Sequence, residues 1–228
     1  MRLMKNVSGK QRSQAFVRLF DVTCSAAGLI LLLPVFAGIA VAIILDDGPP
    51  VLFSQTRVGK NGKLFRIWKF RTMRRGSLGS VITASGDSRV TRAGAGLRKY
   101  KFDELPQLLN VLKGDMSLVG PRPEVPDHVQ LQAPLWRAIL QVRPGITDLA
   151  TLLYRDEEKI LGASRDPDAL YRESILPTKL FWNLAYLLTR SFWQDLKLIL
   201  LTIRYSCFPQ GFNPALVKRE FCAGFEYD

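Results

Sequence analysis

Cysteine and histidine are scarce in this sequence, and their scarcity removes whole classes of chemistry. The three cysteines, Cys24, Cys207 and Cys222, lie far apart and form no Cys-x-x-Cys pair. Neither a disulfide framework nor a zinc site is indicated, and a reducing cytoplasmic setting fits best. The single histidine, His128, stands in a polar, Pro-rich stretch without a neighbouring cysteine. That excludes a transition-metal cage, and His128 reads as a surface loop residue. Acidic residues are outnumbered, 20 Asp and Glu against 32 Lys and Arg, for a formal charge of +12. The excess attracts something polyanionic, whether nucleic acid, an anionic lipid surface or phosphorylated substrates, and does not choose among them. Internal repeats and low-complexity tracts are missing. With 228 residues the chain can bury one substantial core, or a modest core plus a membrane segment, but hardly two large domains.

One long hydrophobic run is present. The 24 residues from Val22 to Leu45 carry no charge and are bounded by Asp21 and Asp46; as a helix they would reach roughly 36 Å, enough to cross a bilayer. The run exceeds the ~7–15 residues of a signal-peptide core, so cleavage is not expected. Basic residues flank both ends: Lys5, Lys10, Arg12 and Arg18 before it, then a series from Arg57 to Arg75 after it. The positive-inside tendency places both ends on the cytoplasmic side. A straight span cannot satisfy that, whereas a helix that enters, bends and returns can. Pro34 lies near the middle, where it removes a backbone donor and kinks the helix. The expectation is a re-entrant, monotopic segment; an ordinary single span, in which proline is also tolerated, is the alternative.

Beyond the breaker run Asp46-Asp47-Gly48-Pro49-Pro50, two β-rich runs, Val51 to Phe53 and Leu64 to Trp68, surround Asn61-Gly62 and predict a short basic hairpin. Residues Arg74 to Gly96 are rich in Gly, Ser, Thr and Arg and read as a loop. Leu105, Leu108, Leu109 and Leu112 then fall at helical spacing, with Gly114 placed to end the helix. Asp103 is its natural N-cap, because Pro106 is tolerated only in a first turn. Turns are expected from Pro121 to Pro126 and at Pro144-Gly145, and a short helix opens at Arg155 to Lys159. From Leu180 to Ile203 an aromatic, apolar region broken by Arg190, Gln194, Asp195 and Lys197 predicts two amphipathic helices. They suit the membrane interface and suit a protein core almost equally well; the upstream anchor favours the interface. The fold class expected is α+β, mainly α. An N-terminal arm and membrane helix (1–48) precede a membrane-associated catalytic domain (49–228).

Asp103 and Glu104 are the candidate chemical pair. Being adjacent, they diverge and cannot face each other across a sugar ring as glycosidase carboxylates do. At a helix start they would instead sit beside free N–H groups that favour phosphate, where a carboxylate pair can hold Mg²⁺ and an aspartate can attack phosphorus. For an isolated Asp-Glu, simple capping would be the better reading.

The surrounding residues change that balance. The stretch Arg98-Lys99-Tyr100-Lys101-Phe102-Asp103-Glu104-Leu105-Pro106-Gln107 through Val119-Gly120-Pro121-Arg122-Pro123 resembles, nearly residue for residue, the signature of the bacterial sugar transferase family, the monotopic phosphoglycosyl transferases. The likeness extends to Arg18 to Asp21, Phe53 to Gly59, Lys69 to Met73, Arg143 to Thr147 and Ser191 to Lys197. It implies a two-step exchange in which an aspartate takes the phosphosugar from a UDP-sugar, UMP leaves, and polyprenyl (undecaprenyl) phosphate receives it. On that pattern Asp103 is the nucleophile, Glu104 helps hold Mg²⁺, and Lys69, Arg98, Arg122 and Arg143 hold phosphate groups. The fixed cations suit a reaction whose arriving and departing groups are all anionic.

The same resemblance implies the bacterial inner (cytoplasmic) membrane, with the catalytic domain on the cytoplasmic face and membrane lipids around it. The product would begin a surface glycan such as an exopolysaccharide, O-antigen, capsule or glycoprotein glycan. Further candidate partners are a second copy of the chain and later glycan-assembly enzymes, and no nucleic acid. Two departures stand out. Many members carry Ser before the membrane proline where this chain has Leu33, so Pro34 must act without that hydrogen bond. The frequent continuation Gly-Trp-Ala-Gln-Val-Asn-Gly-Arg is replaced by Asp148 to Arg155, which leaves the donor sugar open. The rival class is a non-catalytic, membrane-tethered anion-binding module, supported only by the basic excess and by no nucleic-acid-binding signature.

Overall fold

A computed structural model describes residues 14–77, 82–210 and 212–221 of the chain. The apolar run forms two helices, α1 (Gln14–Leu31) and α2 (Leu33–Asp47), bent by 60° at the break between them. Pro34 occupies the first turn of α2, where its missing N–H would have had no helical acceptor, so the bend falls at the predicted place. Among the described residues no single helix is long and apolar enough to cross a membrane, but the bent pair is. Ile30, Leu31, Leu33 and Leu45 of this pair are all more than half exposed.

Strands β1 (Leu52–Val58) and β2 (Leu64–Phe70) make the expected hairpin, longer than the two apolar runs announced. Asn61 and Gly62 both take positive φ, at 57° and 75°, the conformation that Asn-Gly supplies at least cost. Among its described residues the Gly-rich stretch is a loop only as far as Val90, and residues 78–81 lie outside them. Helix α3 (Arg92–Lys99) begins where a loop was predicted, capped by Thr91, whose Oγ1 accepts the Gly94 N–H at 3.0 Å. Its glycines hid it from periodicity, and Gly94 has a packing reason: a Cβ there would lie 2.2 Å from the Thr72 carbonyl oxygen.

A 3₁₀ turn at Phe102–Glu104 leads into α4 (Gln107–Lys113), which ends at Gly114 in the left-handed region, as read. The start of this helix differs from expectation. Asp103 is not the N-cap; it lies inside the 3₁₀ turn, and the capping position falls to Pro106, without a side-chain cap. Strand β3 (Ser117–Val119) pairs in parallel with β4 (Gly145–Thr147), so Gly145 belongs to a strand rather than a turn. The two backbones approach so closely that a Cβ on Gly145 would lie 2.1 Å from the Gly120 nitrogen.

The remaining helices are α5 (Pro134–Ile139), α6 (Leu149–Leu153), α7 (Glu157–Gly162), α8 (Pro167–Leu170), α9 (Leu176–Thr189), α10 (Phe192–Cys207) and α11 (Pro214–Phe221). The charged run does open a short helix, α7. The two amphipathic helices exist, but α9 is not interfacial: Trp182 and Tyr186 are buried in a core shared with α6, α10 and α11. Burying the rings removes more apolar area from water than leaving them at a headgroup layer. Helix α10 buries Leu198 and Tyr205 while leaving Trp193, Leu200 and Ile203 exposed.

Polar ties join the bent helix pair to the rest. Arg18 of α1 donates to the carbonyls of Val111 at 2.6 Å and Leu112 at 2.8 Å, satisfying the free end of α4. Asp21, buried, accepts from Ser117 Oγ at 2.7 Å and from the Leu118 N–H at 3.1 Å. Phe16 and Phe20 meet the Phe192 ring edge-on, both at 5.3 Å.

Candidate active site

Asn110 ties the helix that follows the 3₁₀ turn to the hairpin. This residue is fully buried; its Oδ1 accepts the Trp68 N–H at 3.0 Å and its Nδ2 donates to the Arg66 carbonyl at 2.8 Å, locking α4 to β2. The turn therefore sits beside Lys69 at the end of β2. Above it lies a polar cavity of about 180 Å³.

Asp103 and Glu104 are each only 8% exposed and face different partners. Glu104 is bracketed by cations. Arg122 engages both of its oxygens in a two-pronged pair, with Nη1 at 3.0 Å from Oε2, and Lys69 Nζ donates to Oε1 at 3.1 Å. Burial works against its charge, but Arg122 and Lys69 win and hold its carboxyl well below the usual range. Asp103 has the opposite balance. Burial, and next the Glu104 charge, push its carboxyl up, and its buried Oδ1 accepts no hydrogen bond among the described residues. A buried carboxylate oxygen without a partner is costly, which makes this atom a candidate to meet a ligand.

The expected cations are largely gathered here. Lys69, Arg98 and Arg122 line the cavity with Asp103 and Glu104. Arg98 is oriented by Thr72 Oγ1 at 2.9 Å and Glu158 Oε1 at 2.9 Å. Arg143 is not brought to the cavity wall; its Nε donates to the Gly114 carbonyl at 2.9 Å, behind α4.

Several lining residues escaped the sequence reading. Glu124 is buried, accepts from the Tyr171 hydroxyl at 2.6 Å, and is held near a pKa of about 2. Burial opposes its charge, while His128 at 3.8 Å, the charges of Lys179 and Arg57 and the Tyr171 hydroxyl favour it. Its place directly after the Arg122-Pro123 motif was a usable signal. His128 is not a surface loop residue: its side chain is 13% exposed, lies 3.8 Å from Glu124 and lines the cavity. Thr151 and Tyr154, from the stretch that departs from the family pattern, also line it, together with Arg155, which keeps the arginine that ends that pattern. Asp148 serves there as the α6 cap, accepting the Thr151 N–H and hydroxyl at 2.7 Å each.

Mg²⁺ can be tested against this donor set. Among the described residues no group of three or more His, Cys, Asp or Glu side chains could cage a metal. Mg²⁺, however, commonly takes one or two carboxylates and completes its shell with water and substrate phosphate oxygens. The unpartnered Asp103 oxygen fits that mode, whereas both Glu104 oxygens are already engaged by Arg122 and Lys69, so Glu104 would hold the ion only by sharing them.

A buried acidic pair ringed by fixed cations has the charge arrangement that phosphorylated groups require. The chain belongs to the bacterial sugar transferase family, whose profile matches residues 12–208; members of this family are phosphosugar-transferring enzymes. It is 40% identical over 191 residues to the UDP-glucose:undecaprenyl-phosphate glucose-1-phosphate transferase of Caulobacter vibrioides, covering 82% of this chain and 67% of that protein. It is 38% identical over 196 residues to the UDP-N-acetylgalactosamine-undecaprenyl-phosphate N-acetylgalactosaminephosphotransferase of Aeromonas hydrophila, covering 83% and 43%. The UDP-glucose:undecaprenyl-phosphate glucose-1-phosphate transferase of Escherichia coli K12 is 36% identical over 188 residues, covering 80% and 38%. The chain thus spans less than half of the last two relatives.

Proposed function

We propose that this protein transfers a phosphosugar from a UDP-sugar to polyprenyl phosphate through Asp103. The observation that carries the reading is the buried Asp103 oxygen without a partner, in a cavity walled by Lys69, Arg98 and Arg122. The names of the relatives supply the substrate classes.

An Asp103 carboxylate oxygen attacks the sugar-linked phosphorus of the donor. The bond from that phosphorus to UMP breaks, UMP leaves with the electron pair, and an aspartyl-phosphosugar forms. A phosphate oxygen of the lipid then attacks the same phosphorus, the bond to Asp103 breaks, and the carboxylate returns with the polyprenyl-diphosphate sugar as product. Burial that lifts the Asp103 carboxyl makes its ionised form a stronger nucleophile. Arg122 and Lys69, themselves fixed by Glu104, and Arg98, fixed by Thr72, offer preorganised charge to the diphosphate. Mg²⁺, held by Asp103 and Glu104, would supply further neutralisation of the diphosphate charge.

The bent pair α1–α2 serves as a re-entrant anchor in the bacterial inner membrane. Its exposed apolar side chains and the basic flanks of both ends support this, and the cavity then faces the cytoplasm. The relatives named use different sugars, glucose and N-acetylgalactosamine. The donor sugar is set by the cavity, and Thr151 and Tyr154 are its sequence-variant wall.

The test is to incubate purified protein with a panel of UDP-sugars and follow UMP release and intact mass. One donor should give UMP and one phosphosugar adduct per chain. An Asp103→Asn variant that still forms the adduct would sink the assignment of the nucleophile. A polyanion-binding module would instead keep binding after loss of both carboxylates and weaken steeply with salt.

A further inference from the structure

A second cavity, of about 490 Å³ and almost wholly apolar, lies against the first. Leu32 and Val35 at the bend of α1–α2, Leu105 and Leu108 around α4, and Leu152 and Ile203 from α6 and α10 are among the side chains that line it. The two cavities share four residues: Lys101, Glu104, Thr151 and Arg155. A molecule with an apolar chain and an anionic head could therefore lie in one cavity and present its head in the other.

The cations at this threshold are the ones the donor site has not already paired. Lys69 and Arg122 are bound to Glu104, and Arg98 to Glu158. By contrast, the Lys101 ammonium makes no hydrogen bond or ion pair among the described residues, and the Arg155 guanidinium makes one long bond, 3.4 Å to the Lys99 carbonyl. Lys101 also holds φ 58° and ψ 21°, a left-handed conformation that disfavours a side-chain-bearing residue. Such backbone settings persist where the surroundings fix them, often at ligand sites. It lies two residues before Asp103.

Resting on the transferase reading, we propose that Lys101 and Arg155 recognise the phosphate of the acceptor, an isoprenyl-chain phosphate monoester whose chain occupies the apolar cavity. The pair places the attacking phosphate oxygen beside the Asp103-bound phosphosugar. That oxygen forms the new bond to phosphorus, the bond to Asp103 breaks with its electrons returning to the carboxylate, and any proton on the acceptor phosphate passes to solvent.

Cys207, a free and exposed thiol on the apolar cavity wall, provides the probe. In a Cys24→Ser, Cys222→Ser background, Cys207 alkylation is followed in detergent while polyprenyl phosphate, polyprenol or phosphatidic acid is added. Polyprenyl phosphate should slow alkylation at least fivefold, at a concentration at least tenfold below that needed with polyprenol, and phosphatidic acid should not protect. Lys101→Gln with Arg155→Gln should erase the tenfold advantage of the phosphate head. Ile203→Trp, at an exposed position, should weaken protection by both isoprenyl compounds equally. No protection, a head-group advantage that survives the double variant, or equal protection by phosphatidic acid would each overturn the proposal. Adduct formation with the UDP-sugar, measured on the same unsubstituted chain, separates the two readings: its absence removes the transferase reading, while its presence without Cys207 protection removes this inference alone.

Discussion

Arg122 and Glu104 meet as a two-pronged ion pair in which both guanidinium arms grip one carboxylate. Lys69 completes the bracket from the other side. The pair fixes an arginine at the site without using Asp103, so the proposed nucleophile stays free while the charge around it is held rigid.

Arg122→Lys keeps the charge and loses the fork. Adduct formation is expected to slow by on the order of a hundredfold, with the fold kept, as single-turnover UMP release and circular dichroism would show. A near-normal rate would mean that the planar geometry is not needed.

The acid side of the pH profile should follow Asp103. Its carboxyl is raised, first by burial and second by the Glu104 charge, so adduct formation should fail at a higher pH than the usual carboxylate value would give. Glu104→Gln removes the second cause and leaves Lys69 to act on Asp103, so whatever activity remains should have its acid limb shifted to lower pH. A shift the other way would contradict this account of the site.

Glu124 should make stability depend on acid. Its folded pKa of about 2 lies below the ordinary 4.5, so its contribution is complete above the unfolded value and is lost as pH falls through the folded one. Between pH 4.5 and 2 the native chain should lose roughly 3 kcal/mol more stability than Glu124→Gln. Denaturant melts in the same detergent at the two pH values measure the difference.

Two glycines of α3 should behave oppositely. A Cβ at Gly94 collides with the Thr72 backbone, while one at Gly96 meets nothing within 4 Å. Gly94→Ala should lower the melting temperature and slow adduct formation by displacing Arg98 from Thr72. Gly96→Ala should stabilise by about 0.4–1 kcal/mol. Thermal melts of the two variants side by side decide the matter.

For the anchor, Lys5→Cys and Lys60→Cys are expected to react with an impermeant thiol reagent from the same face of oriented vesicles. Labelling from opposite faces would refute re-entry.

Much of the architecture was legible because it depends on local rules. Asn61-Gly62 fixed the hairpin, Gly114 fixed the end of α4, and Pro34 fixed the bend, each through backbone conformations that few residues adopt. Errors came where long-range packing decided. Asp103 looked like a cap because capping is local, yet Lys69 of β2 holds the 3₁₀ turn through Glu104, and Asn110 ties the following helix to the same strand. Helix α3 was hidden by Gly94, whose reason for being glycine lies at Thr72. The aromatic rings of α9 gave no hint of whether lipid or α6, α10 and α11 would cover them. The site cations were found through a motif, whereas Lys101 and Arg155 show their unpaired state only in three dimensions.

The ties from Arg18 and Asp21 to α4 and β3 bear on how this enzyme could be handled. Cutting away the first 47 residues to obtain a water-soluble catalytic unit would strip the carbonyls of Val111 and Leu112 of their donors and leave Ser117 and Leu118 without an acceptor. The apolar cavity would lose its Leu32 and Val35 wall at the same stroke. What looks like a detachable tether is a structural part of the catalyst, so solubilising strategies should redesign the outward surface of α1 and α2 rather than remove them.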